Sequence, residues 1–176
     1  MDKILIIDNF LNECDLKTLL EIINIKKYTA NHNSGYRELI TTEFFSVFNT
    51  EDFFVVHLKK IIEEKLNRKF ILNRHYMHVQ TFGLDGGYHI DDNGDDKFTF
   101  CLYITQLNND EIEEAGGDFL IKIPNTDTIL SIDTFSNRGL FFPSTYLHKG
   151  LAYSKNYSEM RLCITWKFKE IAQNNI

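Results

Sequence analysis

The sequence predicts an α+β domain in which helices come first and antiparallel strands follow, closing into a barrel or a two-sheet jelly roll. Three observations predict it. Apolar residues recur at helical spacing up to about residue 66 and at alternating spacing from Lys69 onward. Strand-favouring aromatics are abundant, with 15 Phe and 8 Tyr in 176 residues. Short alternating runs are separated by turn signals such as Gly86-Gly87 and Gly116-Gly117. No Pro/Gly-rich linker, internal repeat or low-complexity segment divides the chain, so it reads as one domain over 1–176.

A short buried strand is expected over 3–8, where Ile4 to Ile7 form an apolar run. Asn12 is placed to cap a helix over 13–26, with Glu13 and Asp15 in its first turn. Leu16, Leu19, Leu20 and Ile23 give that helix an apolar stripe. Residues 28–42 are polar and aromatic, with a loop over 31–35 that carries His32. A second helix is expected over 51–66, where Phe54, Leu58, Ile61, Ile62 and Leu66 share a face. Strands follow over 70–72, 76–82 and around His89. An acidic loop over 92–97 precedes a strongly aromatic strand over 98–105, and a polar loop spans 106–114. Runs at 118–123, 128–132, 139–142 and 161–168 complete the strand set.

Composition narrows the function. A net charge of −6 and a pI near 5.5 argue against nucleic-acid binding, which needs a basic footprint. The first eight residues are too short and too acidic for a signal peptide, and no run approaches the ~18 apolar residues of a membrane span. Cys14, Cys101 and Cys163 are odd in number and far apart, which fits reduced core thiols better than a disulfide framework. The expected location is cytoplasmic, with no membrane partner.

The stretch Gly86-Gly87-Tyr88-His89-Ile90-Asp91 carries the chemistry. In an extended segment His89 and Asp91 project to one face, and together they supply two thirds of a 2-His-1-carboxylate facial triad for non-haem Fe(II). Only one histidine follows His89, namely His148, fifty-seven positions after Asp91. That separation lets several strands intervene before the chain returns. Further on, Arg161 opens a strand in which Arg161, Cys163 and Thr165 share a face. A buried arginine is costly unless paired, and its fork suits a carboxylate. A dicarboxylate with one end on iron and the other on Arg161 would use both features.

Together these motifs resemble the Fe(II)/2-oxoglutarate-dependent dioxygenases, in the prolyl 4-hydroxylase-like branch. The resemblance runs from Ile6-Ile7-Asp8-Asn9-Phe10-Leu11 through Val79-Gln80-Thr81-Phe82-Gly83, Tyr88-His89-Ile90-Asp91 and the strand beginning at Phe98. It continues through Gly116-Gly117-Asp118-Phe119 to the segment from Phe142-Pro143 to His148. It implies a double-stranded β-helix (jelly roll) core with N-terminal supporting helices. It implies that His89, Asp91 and His148 bind Fe(II), and that Arg161 binds the distal carboxylate of 2-oxoglutarate. Tyr103 and Thr165 stand where the family places hydroxyl partners for that cosubstrate. O2 is the second cosubstrate, with ascorbate as an optional reductant. The implied reaction hydroxylates an sp3 C–H and releases succinate and CO2. The first substrate guess is a prolyl or other peptidyl side chain, and a free amino acid or small metabolite is the alternative. The length leaves no room for an appended recognition domain, and the oligomeric state is open.

Competing readings are a jelly-roll binding module without turnover and a cupin-like Zn or Mn isomerase, which would not need Arg161. His57, His75 and His78 read as structural. Lys149 is adjacent to His148 and so should point away from the metal side. The run Asp91-Asp92-Asn93-Gly94-Asp95-Asp96 fails the calcium-loop template, because its sixth position is Asp96 and its twelfth is Leu102. It reads as a solvated loop over the site mouth.

Overall fold

The computed structural model describes residues 4–33, 43–48 and 51–172. Its elements run β1 (Leu5–Ile7), α1 (Glu13–Ile25), β2 (Thr29–Asn33), β3 (Glu43–Phe48), α2 (Lys59–Leu66), β4 (Phe70–Gln80), β5 (Lys97–Ile104), α3 (Asn109–Ala115), β6 (Phe119–Lys122), β7 (Ile129–Ile132), β8 (Arg138–Pro143), β9 (His148–Gly150) and β10 (Arg161–Glu170). A π-helical stretch, Phe53–Leu58, leads into α2. Seven strands form one sheet in the order β1-β8-β5-β10-β4-β3-β2, and three form a second in the order β7-β6-β9. Every pairing between named strands is antiparallel.

Strand alternation divides the large sheet into two faces. On β10, Leu162, Ile164, Trp166 and Phe168 pack with Leu19, Phe54, Leu58 and Ile62 from the helical layer. The opposite face of the same strand carries Cys163, which packs with Cys101, Tyr103, Phe119, Ile121 and Phe142 between the two sheets. The inter-sheet layer is where polar side chains collect, including Thr99, His148, Arg161, Thr165 and Lys167, all buried. One strand therefore anchors the helical core with one face and supplies the inter-sheet space with the other.

Capping explains several boundaries. The Asn12 side chain accepts from Asp15 N and starts α1 as the sequence predicts. Asn67, at φ 50°, ends α2 in the left-handed conformation that asparagine tolerates. Buried Asn137 accepts from Leu11 N at 2.8 Å and donates to Leu11 O at 2.9 Å, tying the entry of α1 to the start of β8.

Five local expectations differ from the structure. The first strand, expected to be buried, is β1 at the edge of the large sheet, with Leu5 and Ile6 exposed. The polar loop over 106–114 contains α3, which is started by a reciprocal capping box between Asn108 and Glu111. The stretch 28–42 holds β2, which bonds to β3 and through it to β4, so the pairing overrides a polar composition. His32 lies on β2, at a break in register. The two strands expected over 70–82 are one continuous β4, its register with β10 shifting once near Lys167. The His89 segment is not a strand: it is extended backbone with a single bridge to His148.

Candidate active site

The bridge between His89 and His148 builds the site. His89 N donates to His148 O at 3.0 Å and His148 N to His89 O at 2.9 Å, so the two residues face each other. Their rings lie 4.4 Å apart. Asp91 is fixed to the next segment, its N–H donating to Ser144 O at 2.9 Å. One ligand atom from each of His89, Asp91 and His148 lies within 4.8 Å of the others. Asp91 Oδ1 is 3.6 Å from His89 Nε2, and Asp91 Oδ2 is 3.4 Å from His148 Nε2.

Both imidazoles are oriented by the backbone. His89 Nδ1 meets Gly87 O at 2.9 Å and His148 Nδ1 meets Tyr146 O at 2.8 Å. A carbonyl accepts from Nδ1–H, so both Nε2 lone pairs face the centre, as metal-binding histidines need. Phe119 stacks on His148 at 5.2 Å and Phe142 meets it edge-on at 4.9 Å. Burial pushes His148 down to about 4, against the pull of Asp91, so its ring is neutral near pH 7. Burial alone would raise the Asp91 pKa, but Lys167, then His148 and a hydrogen bond from Thr99, hold it well below the usual carboxylate range. Two imidazoles with Nε2 turned inward and one ionised carboxylate on a shared centre suit a divalent metal.

One cavity joins the two histidines to Arg161, with His89, His148, Gln80, Gly150, Arg161 and Lys167 among its walls, and Asp91 lines an adjoining hollow that shares Lys167 with it. Arg161 is 1% exposed. Its Nε donates to Gly117 O at 2.6 Å and one terminal nitrogen donates to Gln80 Oε1 at 2.5 Å. Gln80 is fixed in turn, donating to Leu84 O at 2.8 Å and Gly150 O at 3.2 Å. The other terminal nitrogen of Arg161, Nη2, is buried without a hydrogen-bond partner among the described residues. Tyr103 lies under the guanidinium, 5.1 Å from its carbon to the ring centre, and its buried hydroxyl also lacks a partner. Unpaired buried donors of this kind are costly, and a carboxylate satisfies both. A Cβ at Gly150 would stand 3.2 Å from Arg161 Nη1 and from Gln80 Oε1, so glycine there leaves the guanidinium its room.

The structure thus brings His89, His148 and Arg161 to one cavity, clusters Asp91 with the two histidines and sets Tyr103 against Arg161. Thr165 lines the same cavity, but its hydroxyl neighbours are Cys163 Sγ at 3.5 Å and Cys101 Sγ at 3.8 Å. Tyr76 lines the cavity too, whereas Phe82 is 62% exposed. Lys149 turns outward over the Tyr88 ring at 4.9 Å. Sequence reasoning missed Lys167, Thr99 and Gln80. Lys167 was signalled by the alternation that put Arg161, Cys163 and Thr165 on one face, extended by one more step.

No family model and no curated protein matches the sequence. Solved structures do match. An oxidoreductase of the 2OG-Fe(II) oxygenase family from Burkholderia pseudomallei superimposes with a TM-score of 0.74 at 9% identity, covering 96% of this chain and 85% of that one. A prolyl hydroxylase from Trichoplax adhaerens, in complex with a hypoxia inducible factor peptide fragment, gives 0.68 at 17% identity over 96% and 84%. A viral collagen prolyl hydroxylase from Paramecium Bursaria Chlorella virus-1, in complex with 2OG, gives 0.62 at 17% identity over 95% and 96%. The chain therefore has the jelly-roll fold of the 2OG-Fe(II) oxygenases, prolyl hydroxylases among them, with a His-Asp-His cluster that fits such a site.

Proposed function

We propose that the protein is an Fe(II)- and 2-oxoglutarate-dependent dioxygenase that hydroxylates an sp3 C–H, with release of succinate and CO2. The observation that carries this reading is a cavity shared by both histidines of the triad and a buried Arg161 whose Nη2 lacks a partner among the described residues. His89, Asp91 and His148 would hold the iron. Arg161 would take the distal carboxylate of 2-oxoglutarate, with the Tyr103 hydroxyl beside it and Thr165 along the wall. Iron with 2-oxoglutarate and O2 would supply the oxidising power, with ascorbate as an optional reductant.

The chain's own residues supply position and dryness. The carbonyls of Gly87 and Tyr146 aim the two imidazoles. Gln80 and the Gly117 carbonyl aim the guanidinium and leave one edge for a carboxylate. Phe119 and Phe142 wall His148 from water. Three of the matched structures are prolyl hydroxylases, which favours a prolyl or peptidyl side chain as substrate, with a free amino acid or small metabolite as the alternative. Two buried free thiols, Cys101 and Cys163, suit a reducing, cytoplasmic compartment. Among the described residues no helix is long and apolar enough to cross a membrane.

The test is anaerobic titration of the metal-free protein with Fe(II) and then 2-oxoglutarate, following the visible charge-transfer band of the chelate. The band is expected with wild type and absent with His148→Ala. With Arg161→Ala it should need at least tenfold more 2-oxoglutarate, the equivalent of about 1.4 kcal/mol. Iron binding without a band would overturn the cosubstrate assignment. Succinate release under O2 then separates an oxygenase from a binding module.

A further inference from the structure

Lys167 is the one charged cavity group with no role in the reaction as read above. Its side chain is 11% exposed. Its Cα stands opposite Thr99 on β5 and opposite Arg74 on β4. A like charge directly across the strands is unfavourable, and the ammonium is turned toward Asp91, with which it lines the adjoining hollow. It donates to Asp91 Oδ2 and lies 3.4 Å from Thr99 Oγ1. The Thr99 hydroxyl donates to the same Asp91 oxygen at 2.6 Å, and Ser144 Oγ sits 3.0 Å behind it.

These contacts fall unevenly on the carboxylate. Oδ2 receives both hydrogen bonds, one of them charge-assisted. Among the described residues Oδ1 receives none and faces His89 Nε2 at 3.6 Å, whereas Oδ2, besides its two hydrogen bonds, lies 3.4 Å from His148 Nε2. A carboxylate free to turn can close on a metal with both oxygens and occupy two positions. One whose second oxygen is held by a buried ammonium cannot do so without breaking a desolvated ion pair and leaving the ammonium uncompensated, which is costly in an interior.

We propose that Lys167, assisted by Thr99, is a positioning residue that keeps Asp91 a one-oxygen ligand through Oδ1. Three positions are then taken by protein and three stay open for cosubstrate and O2. Without Lys167, Asp91 turns, binds through both oxygens and closes one of those positions. The inference rests on the reading of His89, Asp91 and His148 as the metal site. It also explains why a lysine is tolerated beside a cation site, where charge alone argues against it.

The experiment is crystallography of the protein loaded with Mn(II) and 2-oxoglutarate, for wild type, Lys167→Met and Lys167→Arg. Wild type should show Oδ1 alone on manganese and Oδ2 on Lys167 and Thr99. Lys167→Met keeps the length of the side chain without the charge, and should show both Asp91 oxygens on the metal. Lys167→Arg should restore one-oxygen ligation. Wild-type manganese bound through Oδ2 or through both oxygens would overturn the proposal, as would one-oxygen ligation unchanged in Lys167→Met. The wild-type arm decides by itself if Lys167→Met does not fold. Wild type with no manganese at the triad would instead overturn the proposed function, so the two failures are distinguishable.

Discussion

Asp91 and Lys167 depend on each other in the metal-free protein. Burial disfavours the charge on Lys167, yet Asp91 outweighs it and holds the ammonium above its ordinary pKa. Removing either partner leaves an unpaired buried charge, whereas removing both leaves none. Asp91→Ala should therefore cost more than the loss of a ligand: about 3 kcal/mol of stability in chelator-treated protein. Adding Lys167→Met to Asp91→Ala should recover most of it. Urea denaturation of wild type, Asp91→Ala, Lys167→Met and the double variant completes the cycle that measures this, and equal stability of Asp91→Ala and wild type would mean that the ion pair contributes nothing. Arg161 is a different case: three of its neighbours are neutral, and its Nη2 is a donor kept waiting.

The turn between α3 and β6 is the element that sets Arg161. Gly117 has φ +81°, and a Cβ there would stand 2.5 Å from the Tyr153 ring and 3.3 Å from Arg161 Cδ. Gly116 has φ +73° but would meet nothing within 4 Å. Gly116, at φ 73° and ψ −137°, occupies backbone space that is almost glycine-only, so alanine there should cost about 2–3 kcal/mol of stability through backbone strain alone and leave 2-oxoglutarate binding within about twofold. Alanine at 117 adds a clash and should weaken 2-oxoglutarate binding by about tenfold, or ~1.4 kcal/mol, with Fe(II) binding retained. Parallel titrations of the two variants check this. The Gly116-Gly117 turn was legible in the sequence, as were α1, α2 and the strands with strong alternation, β5 and β10. The capping box at Asn108 and Glu111 was legible too, but seven residues are too few for a helical period to show. β2 and β9 were not legible. β9 is three residues long, and β2 owes its form to bonding with β3 across a polar stretch.

At the scale of the whole molecule, the two-face division of the large sheet separates function from stability. Period-two reading predicted that Arg161, Cys163 and Thr165 would look one way and Leu162, Ile164 and Trp166 the other, and the two cores follow that line. It did not predict which distant residue meets Lys167, because that contact depends on the register between β5, β10 and the His89 segment. His75 shows the same division from the stability side. It stacks between Phe54 at 5.1 Å and Trp166 at 4.6 Å, its Nδ1 meets Thr165 O at 3.0 Å, and its Nε2 has no partner. Burial pushes it down to about 4, the Thr165 carbonyl opposing weakly. In the unfolded chain it protonates near 6.5, so the unfolded state binds the extra proton first as pH falls. Its contribution is therefore complete above pH 6.5 and is lost as pH falls toward 4, about 3 kcal/mol in full. His148 acts with the same sign, so wild type alone does not isolate His75. His75→Phe keeps the stacked ring and removes the proton. Compared by urea denaturation with chelator at pH 7 and pH 4.5, the variant should lose 2–3 kcal/mol less than wild type, to within the ~1 kcal/mol such values carry. Equal losses in the two proteins would mean that His75 takes up its proton inside the fold without cost, and that the helical core is wetter around Phe54 and Trp166 than their packing indicates.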